Sequence, residues 1–342
     1  MKLTKLEAIR GFAAFYVAVG HLVLSHDFFN SSVKFIFRFG QEAVILFFLL
    51  SGFVIYLSIH KTCDLRFKDY FIKRFRRIYP TFIISILITL FVVAFNNNLS
   101  RAFSWQELLG NLFMLQDFNY AKPGGWVNTF LGNSPLWSLS YEWWFYLIFY
   151  PIYKVLPQNN YRIYFVLTIS IVSWFTYLIF PNHASLIISY LIIWWAGLES
   201  AVVFTRDRRF TYRNMKHILI CLFMMLLVSF IPLFYEGNYQ FGIYPVLTFR
   251  HFLSAFFFMV LGLIWWRNKL LGFDKMIGSF SKIAPISYSL YLFHYPLLIM
   301  WDTNLSFSNV FGAFAVKIVC LVGLAYLTEI KLQPVVNRLL KV

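Results

Sequence analysis

The chain has 342 residues, of which 60% are hydrophobic and 22% aromatic; only 13% are charged, and the mean hydropathy is +0.67. Soluble domains are roughly half apolar and a quarter charged, so too few charges are present to cover a water-facing surface, and the composition is that of an integral membrane protein. Disorder, a collagen repeat and a disulfide scaffold are excluded as well: Gly is only 16 of 342, and of three scattered cysteines Cys63 lies in a basic loop while Cys221 and Cys320 lie in apolar runs. Against this background stands a formal net charge of +16, whose placement needs an explanation.

A spanning helix takes about 20 mostly apolar residues. The apolar runs are continuous rather than alternating, which selects helices over a barrel. Ten are predicted, at 8–25, 41–60, 78–96, 136–153, 161–181, 184–204, 217–235, 245–266, 284–301 and 309–330, giving an all-α polytopic membrane bundle. The first is too long for a signal-peptide core and has no small-residue cleavage site after it, so it reads as a retained helix. Assigning Lys and Arg to the connections places 24 of 30 in the N-terminal end, the loops 61–77, 154–162, 205–216 and 267–282, and the C-terminal end. The positive-inside bias makes these segments, and both termini, cytoplasmic.

In the long external connection 97–135, Leu108, Leu109, Leu112 and Phe113 recur at helical spacing ahead of Pro123-Gly124-Gly125. An interfacial or re-entrant helix over Trp105 to Gln116, then a turn, is expected. With no repeat, low-complexity tract or separate soluble domain in sequence, residues 1–342 read as one transmembrane domain, and any chemistry falls to the bundle.

Ionisable groups inside spans are costly and point to function. In the first span Arg10 and His21 are eleven residues apart, 20° off three full turns and about 16 Å of rise, so both lie on one helix face; a membrane anchor and a packed core histidine are the plainer reading. In the second, Ser51-Gly52 suits close helix packing, and Glu42 lies near the outer interface. The third opens with Lys73-Arg74-Phe75-Arg76-Arg77; Arg74 and Arg77 share a helix face and can grip a polyphosphate or anchor to lipid headgroups. Two turns inside the fourth, Glu142 needs a partner, with His21 or Arg250 at similar depth; it can orient a catalytic histidine, or form a structural ion pair. In the ninth, Tyr291 and His294 are one turn apart and Pro296 can kink the helix, while the histidine alone reads equally well as a hydrogen-bonded core group. Arg250-His251, Lys317 and Glu199 read as bundle ion pairs, Arg250 being the one best placed to touch a ligand. No phosphate-binding glycine loop, nucleophile elbow or zinc signature occurs, so no metal is expected. The basic charge sorts by membrane side, which is not the pattern of a nucleic-acid patch.

Taken together these motifs resemble the acyltransferase-3 family, multi-spanning acyltransferases that modify sugars of cell-envelope polysaccharides. Leu6-Glu7-Ala8-Ile9-Arg10-Gly11 with His21 is similar to the family's first-helix arginine, ten residues, histidine motif, although the acidic residue and glycine pair usual before the arginine departs from the family pattern here. Phe47 to Phe53, Arg74-Phe75-Arg76-Arg77, Trp137-Ser138-Leu139-Ser140-Tyr141-Glu142 and Tyr288 to Pro296 resemble four further family blocks in the same order. The resemblance implies a multi-pass protein of the inner (cytoplasmic) membrane that moves an acyl group, most often acetyl, from acyl-coenzyme A to a hydroxyl of an envelope glycan or lipid-linked glycan. It needs no tightly bound cofactor, the acyl-CoA being a co-substrate. Arg10, Arg74 and Arg77 are then the donor-binding residues, and His21 is the general base or a transient acyl carrier, with Glu142 as the second catalytic residue. Ser51, Ser138, Tyr291, His294 and Arg250 are expected to touch substrate or support the site. Some relatives append an extracytoplasmic hydrolase-like domain; its absence before Val342 favours a self-contained enzyme or a separate partner. Trp105, Trp126, Trp137, Trp143 and Trp144 are candidates for stacking on sugar rings or for the interfacial aromatic belt. A glycan or lipid-linked sugar transporter, or a non-catalytic scaffold, fits the composition equally.

Overall fold

The computed structural model describes residues 4–62, 65–156, 161–302 and 310–340, the last segment with side chains from Gly312 onward. Cys63 and the first residue of the tenth predicted span, 309, lie outside the described residues. The chain is helical almost throughout: α1 (Thr4–Ser25), α2 (Ser31–Phe37), α3 (Gly40–Ile59), α4 (Phe67–Phe95), α5 (Leu99–Ala102), α6 (Trp105–Leu112), α7 (Trp137–Val155), α8 (Tyr161–Ile179), α9 (His183–Asp207), α10 (Tyr212–Phe230), α11 (Val246–Arg267), α12 (Phe273–Met276), α13 (Ser287–His294), α14 (Val310–Tyr326) and α15 (Gln333–Leu339). Polar caps sit at the ends that meet water. Asn182 accepts from Ser185 N (2.9 Å) to start α9, and Thr211 with Asn214 forms a capping box on α10.

Eight helical stretches are long and apolar enough to cross a bilayer: Thr4–Ser25, Ser31–Ile59, Phe67–Phe95, Tyr161–Ile179, His183–Asp207, Tyr212–Phe234, Val246–Arg267 and Gly312–Leu339. The other two predicted spans are helical but different in kind. The run 136–153 becomes α7, rich in Tyr, Trp and Ser, with Glu142 and Lys154. The run 284–301 becomes the eight-residue α13 followed by a π-helical turn, Tyr295–Met300.

Helix α9 forms the axis of the bundle and is buried along nearly its whole length, with Trp194 and Trp195 fully enclosed. Its closest neighbour is α3, and glycines permit the approach. A Cβ on Gly52 would lie 2.0 Å from Trp194 O, and one on Gly197 would lie 1.9 Å from Leu49 O. Contact between the two backbones maximises van der Waals packing where lipid offers no hydrophobic drive. Along α1, Gly11 gives the same close approach to Phe280 O (2.0 Å from its built Cβ), which brings the 278–286 turns under the start of α13.

Charges inside the bundle are paired across helices. Arg162 on α8 donates to Glu199 on α9 (2.9 Å), which also accepts from Trp195 Nε1 (2.9 Å). Arg250 on α11 donates to Glu42 on α3 and to Phe241 O, with its guanidinium against the Phe241 ring. Arg77 on α4 pairs at 2.5 Å with Glu329, which is buried in a second π-helical turn, Leu327–Leu332. Lys317 on α14 reaches a backbone oxygen, Leu298 O (3.3 Å).

The external connection is folded rather than loose. Helix α6 ends at Leu112, short of Gln116, because Met114 takes a left-handed φ of 56°. Its outer face exposes Trp105, Leu109 and Phe113, as an interfacial helix does. Asn111 on the other face is buried and donates to Glu107 O and Asn128 O (both 2.8 Å) while accepting from Phe130 N. Beyond it the chain turns inward. Two short parallel strands, β1 (Gln116–Asp117) and β2 (Val127–Asn128), seat Asp117 among buried side chains, where it meets Lys122 (2.6 Å), Tyr141 OH (2.6 Å) and His183 Nδ1 (3.2 Å). The connection therefore presents an exposed apolar face over α6 and folds into the bundle over 116–122.

Two outcomes follow for stability. Gly197→Val forces a side chain into the Leu49 carbonyl and is expected to cost at least about 3 kcal/mol, read as a lower thermal midpoint in detergent; Gly262→Ala, at an exposed α11 position with open space around its Cβ, should leave the midpoint unchanged or raise it. Arg77→Leu strands the Glu329 carboxylate and should cost on the order of 3 kcal/mol, whereas Arg74→Leu strands no carboxylate and should melt like the parent.

Candidate functional site: a basic cavity beside two histidines

A cavity of about 470 Å³ opens between α1, α3, α4, α7 and α13. Its basic end carries Arg10, Arg74 and Arg77, to which the family resemblance gives donor binding as a shared task, on two separate helices. The three differ in how they are held. Arg77 is neutralised by Glu329 and lies over the Tyr288 ring (5.1 Å). Arg10 donates through Nη2 to Ala284 O (2.9 Å), and its Nε is buried with no hydrogen-bond partner. Arg74 donates weakly to Ser58 Oγ (3.3 Å), lies near the rings of Tyr70 and Tyr146, and likewise has an unpartnered buried Nε. Among the described residues neither Arg10 nor Arg74 meets a carboxylate in an ion pair. Buried donors of this kind are costly unless something anionic occupies the space they face.

On the α7 wall, Glu142 accepts from Ser51 Oγ (2.8 Å) and from Tyr146 OH. Ser51 in turn accepts from Trp194 Nε1 (3.1 Å), tying the cavity wall to the α3–α9 contact. The expected partners of Glu142, His21 and Arg250, are engaged elsewhere, the first by aromatic rings and the second by Glu42. Glu142 is thus a cavity-wall acceptor, held by a serine and a tyrosine; it does not orient His21 in this arrangement. Arg250 is paired with Glu42 and does not line the cavity.

Farther in, Ser138 Oγ and Tyr291 OH are 2.8 Å apart on the cavity wall, and Tyr291 packs against Phe47. Behind Tyr291 lie the two histidines. The His21 and His294 ring centroids are 5.2 Å apart, and Tyr295 closes edge-on against His21 at 5.2 Å. Because α1 is continuous from Thr4 to Ser25, Arg10 and His21 keep the common face that their spacing requires. One helix therefore links the basic cavity to the histidine pair. Neither histidine lines the cavity itself; Tyr291, whose ring centroid is 5.9 Å from that of His294, is the residue shared by both.

Tyr146, Tyr288 and Glu329 belong to this site and were not singled out from sequence. Tyr146 had a signal: it is four residues after Glu142 and so on the same helical face. Glu329 had one too, as an acidic residue at the inner end of an apolar run facing an arginine cluster. Of the tryptophans considered for sugar stacking, Trp137 and Trp143 are core residues, the first stacked on His251 and the second packed against Phe71 and Tyr79. Trp144 donates to Met114 O (2.8 Å), so only Trp105 and Trp126 of the five present a substantially exposed ring.

With this geometry in place, comparison with known proteins is informative. The acyltransferase domain family matches residues 3–330, nearly the whole chain, from the first-helix arginine motif to Glu329. The chain is 32% identical over 167 residues to "Acyltransferase MdmB" of Streptomyces mycarofaciens, a stretch covering 46% of this chain and 41% of that protein. The match therefore spans less than half the length of this curated relative. No solved structure matches the chain. A helical membrane protein in which the family match runs through every helix lining the cavity belongs to the acyltransferase-3 family.

Proposed function

We propose that this protein is a membrane O-acyltransferase that takes an acyl group, acetyl in the first instance, from cytoplasmic acyl-CoA and places it on a hydroxyl of a cell-envelope or exported glycan. The observation that carries the reading is the pair Arg10 and Arg74, which line one cavity, each with a buried unpartnered Nε and neither in an ion pair among the described residues. Coenzyme A is polyanionic at one end and thin along its pantetheine arm. Guanidinium groups suit its phosphates, and the apolar wall of Phe47, Val54, Ile55 and Leu139 suits the arm. The N-terminal and 61–77 segments carry Arg10 and Arg74 on the side that charge counting assigns to the cytoplasm, where acyl-CoA is found.

Beyond the cavity wall at Tyr291, His21 takes the proton from the acceptor hydroxyl as its oxygen attacks the thioester carbonyl. The new C–O bond forms, the C–S bond breaks, and the proton passes from His21 to the departing thiolate. Glu142, an acceptor on the cavity wall, is placed to receive hydrogen bonds from the donor's amide groups or from the acceptor sugar.

Incubating the purified protein in nanodiscs with radiolabelled acetyl-CoA and candidate glycans tests the reading. Labelled glycan supports it; absence of label with glycan flux across vesicles would make the protein a transporter instead. His21→Ala should lower kcat by at least about 10²-fold with the fold intact, and near-parental turnover would remove the histidine from the mechanism. Arg10→Ala and Arg74→Ala should raise KM for acetyl-CoA by about tenfold or more, a charged hydrogen bond being worth about 1.5–3 kcal/mol.

A further inference from the structure

His294 is fully buried, yet its Nε2 has no hydrogen-bond partner among the described residues. Its other nitrogen is fixed. Nδ1 lies 2.6 Å from Tyr291 O, and since a carbonyl can only accept, Nδ1 carries the proton. The neutral ring then presents Nε2 as a pure acceptor.

The chain goes to some length to create this arrangement. Pro296 has no N–H, so the carbonyl four residues before it, Leu292 O, lacks the donor that an α-helix would supply. Ser85 Oγ donates to Leu292 O (3.1 Å), and His294 Nδ1 donates to Tyr291 O. The π-helical turn Tyr295–Met300 begins at the same point, and such turns collect at functional sites because they re-aim side chains. What they aim here is the bare Nε2, in a ring beside that of His21.

We propose that His294 is a positioning residue for His21. A turn of the His21 ring, whose centroid is 5.2 Å away, brings one of its N–H groups onto this Nε2, which has no partner among the described residues, and leaves the second His21 nitrogen bare for the acceptor hydroxyl. The function is that of the carboxylate in a hydrolase triad, performed by a neutral imidazole that fixes the tautomer and orientation of the base. During transfer the hydroxyl proton moves to the bare nitrogen of His21 and from there to the thiolate; His294 keeps its own Nδ1 proton throughout. The inference rests on the acyl-transfer reading above and adds a residue to it.

Two substitutions separate this role from simple packing. His294→Asn keeps an amide donor near the Nδ1 position, so it preserves the bond to Tyr291 O, and has nothing at the Nε2 position. His294→Gln places an amide oxygen near Nε2 and gives up the Tyr291 bond. With acetyl-CoA and a competent glycan, Asn should lower kcat by about 10²-fold at unchanged KM for acetyl-CoA, while Gln restores kcat to within about tenfold of the parent. A residue that only packs predicts the reverse order, Asn outperforming Gln and the thermal midpoint following activity. That order, a parental kcat in the Asn variant, or a rise in KM without loss of kcat would overturn the role of His294. Loss of transfer in the parent protein itself would instead overturn the acyl-CoA reading, so the two failures are distinguishable.

Discussion

Lipid provides no water to solvate a charge, so each ionised group inside this bundle must be met from within it. Most of the architecture can be read as the consequence. Arg162 meets Glu199, Arg250 meets Glu42, Arg77 meets Glu329, and Lys122 meets Asp117 with Tyr141 and His183 alongside. The first three pairs each join two different helical segments and so select one packing of helices over others. Because a buried pair earns little net stability over apolar side chains of the same size, specificity of packing is the larger effect. Set against that rule, Arg10 and Arg74 are exceptions, with guanidinium groups that end on a carbonyl and a hydroxyl beside an open cavity. An exception to a costly rule is the best physical indicator of a site whose missing charge comes from a ligand.

The second constraint is the backbone. Lipid-facing helices cannot leave carbonyls bare, yet the chain carries Pro296 in the middle of a predicted span. The orphaned carbonyl of Leu292 is satisfied by Ser85 of α4, and His294 Nδ1 donates to Tyr291 O one turn earlier, so the break is tolerated where another helix encloses it. The repair also orients the His294 ring. A defect in the helix and the placement of a functional group are the same event here.

Much of the site was legible in the sequence because helices translate spacing into position. Arg10 and His21 on one face and Arg74 with Arg77 follow from 3.6 residues per turn, and the continuous α1 and α4 deliver them, while the close contact at Ser51-Gly52 follows from residue size. What periodicity cannot give is the partner across a helix interface. Glu142 could be placed at a depth, but whether it met His21, Arg250 or neither depended on the rotation of α7 against α3, which is set by packing of Phe48, Tyr141 and Phe145. The inward turn of 116–122 was hidden for the same reason. Asp117 and Lys122 are only five residues apart in a connection, and nothing local says that Tyr141 and His183 will bury them.

The two helices that apolar length alone does not recognise as spans are the ones that carry the wall of the site. Helix α7 supplies Ser138, Glu142 and Tyr146, and α13 supplies Tyr288, Tyr291 and His294. Polar side chains lower the hydropathy of these segments, and lipid would tolerate them poorly if they were inserted first or alone. They become acceptable once α3 and α9 shield Ser51 and Trp194 on one side and α4 contributes Ser85 on the other. Formation of the cavity and completion of the bundle are thereby coupled: Ser138, Glu142, Tyr146 and Tyr291 find their hydrogen-bond partners only in the closed assembly.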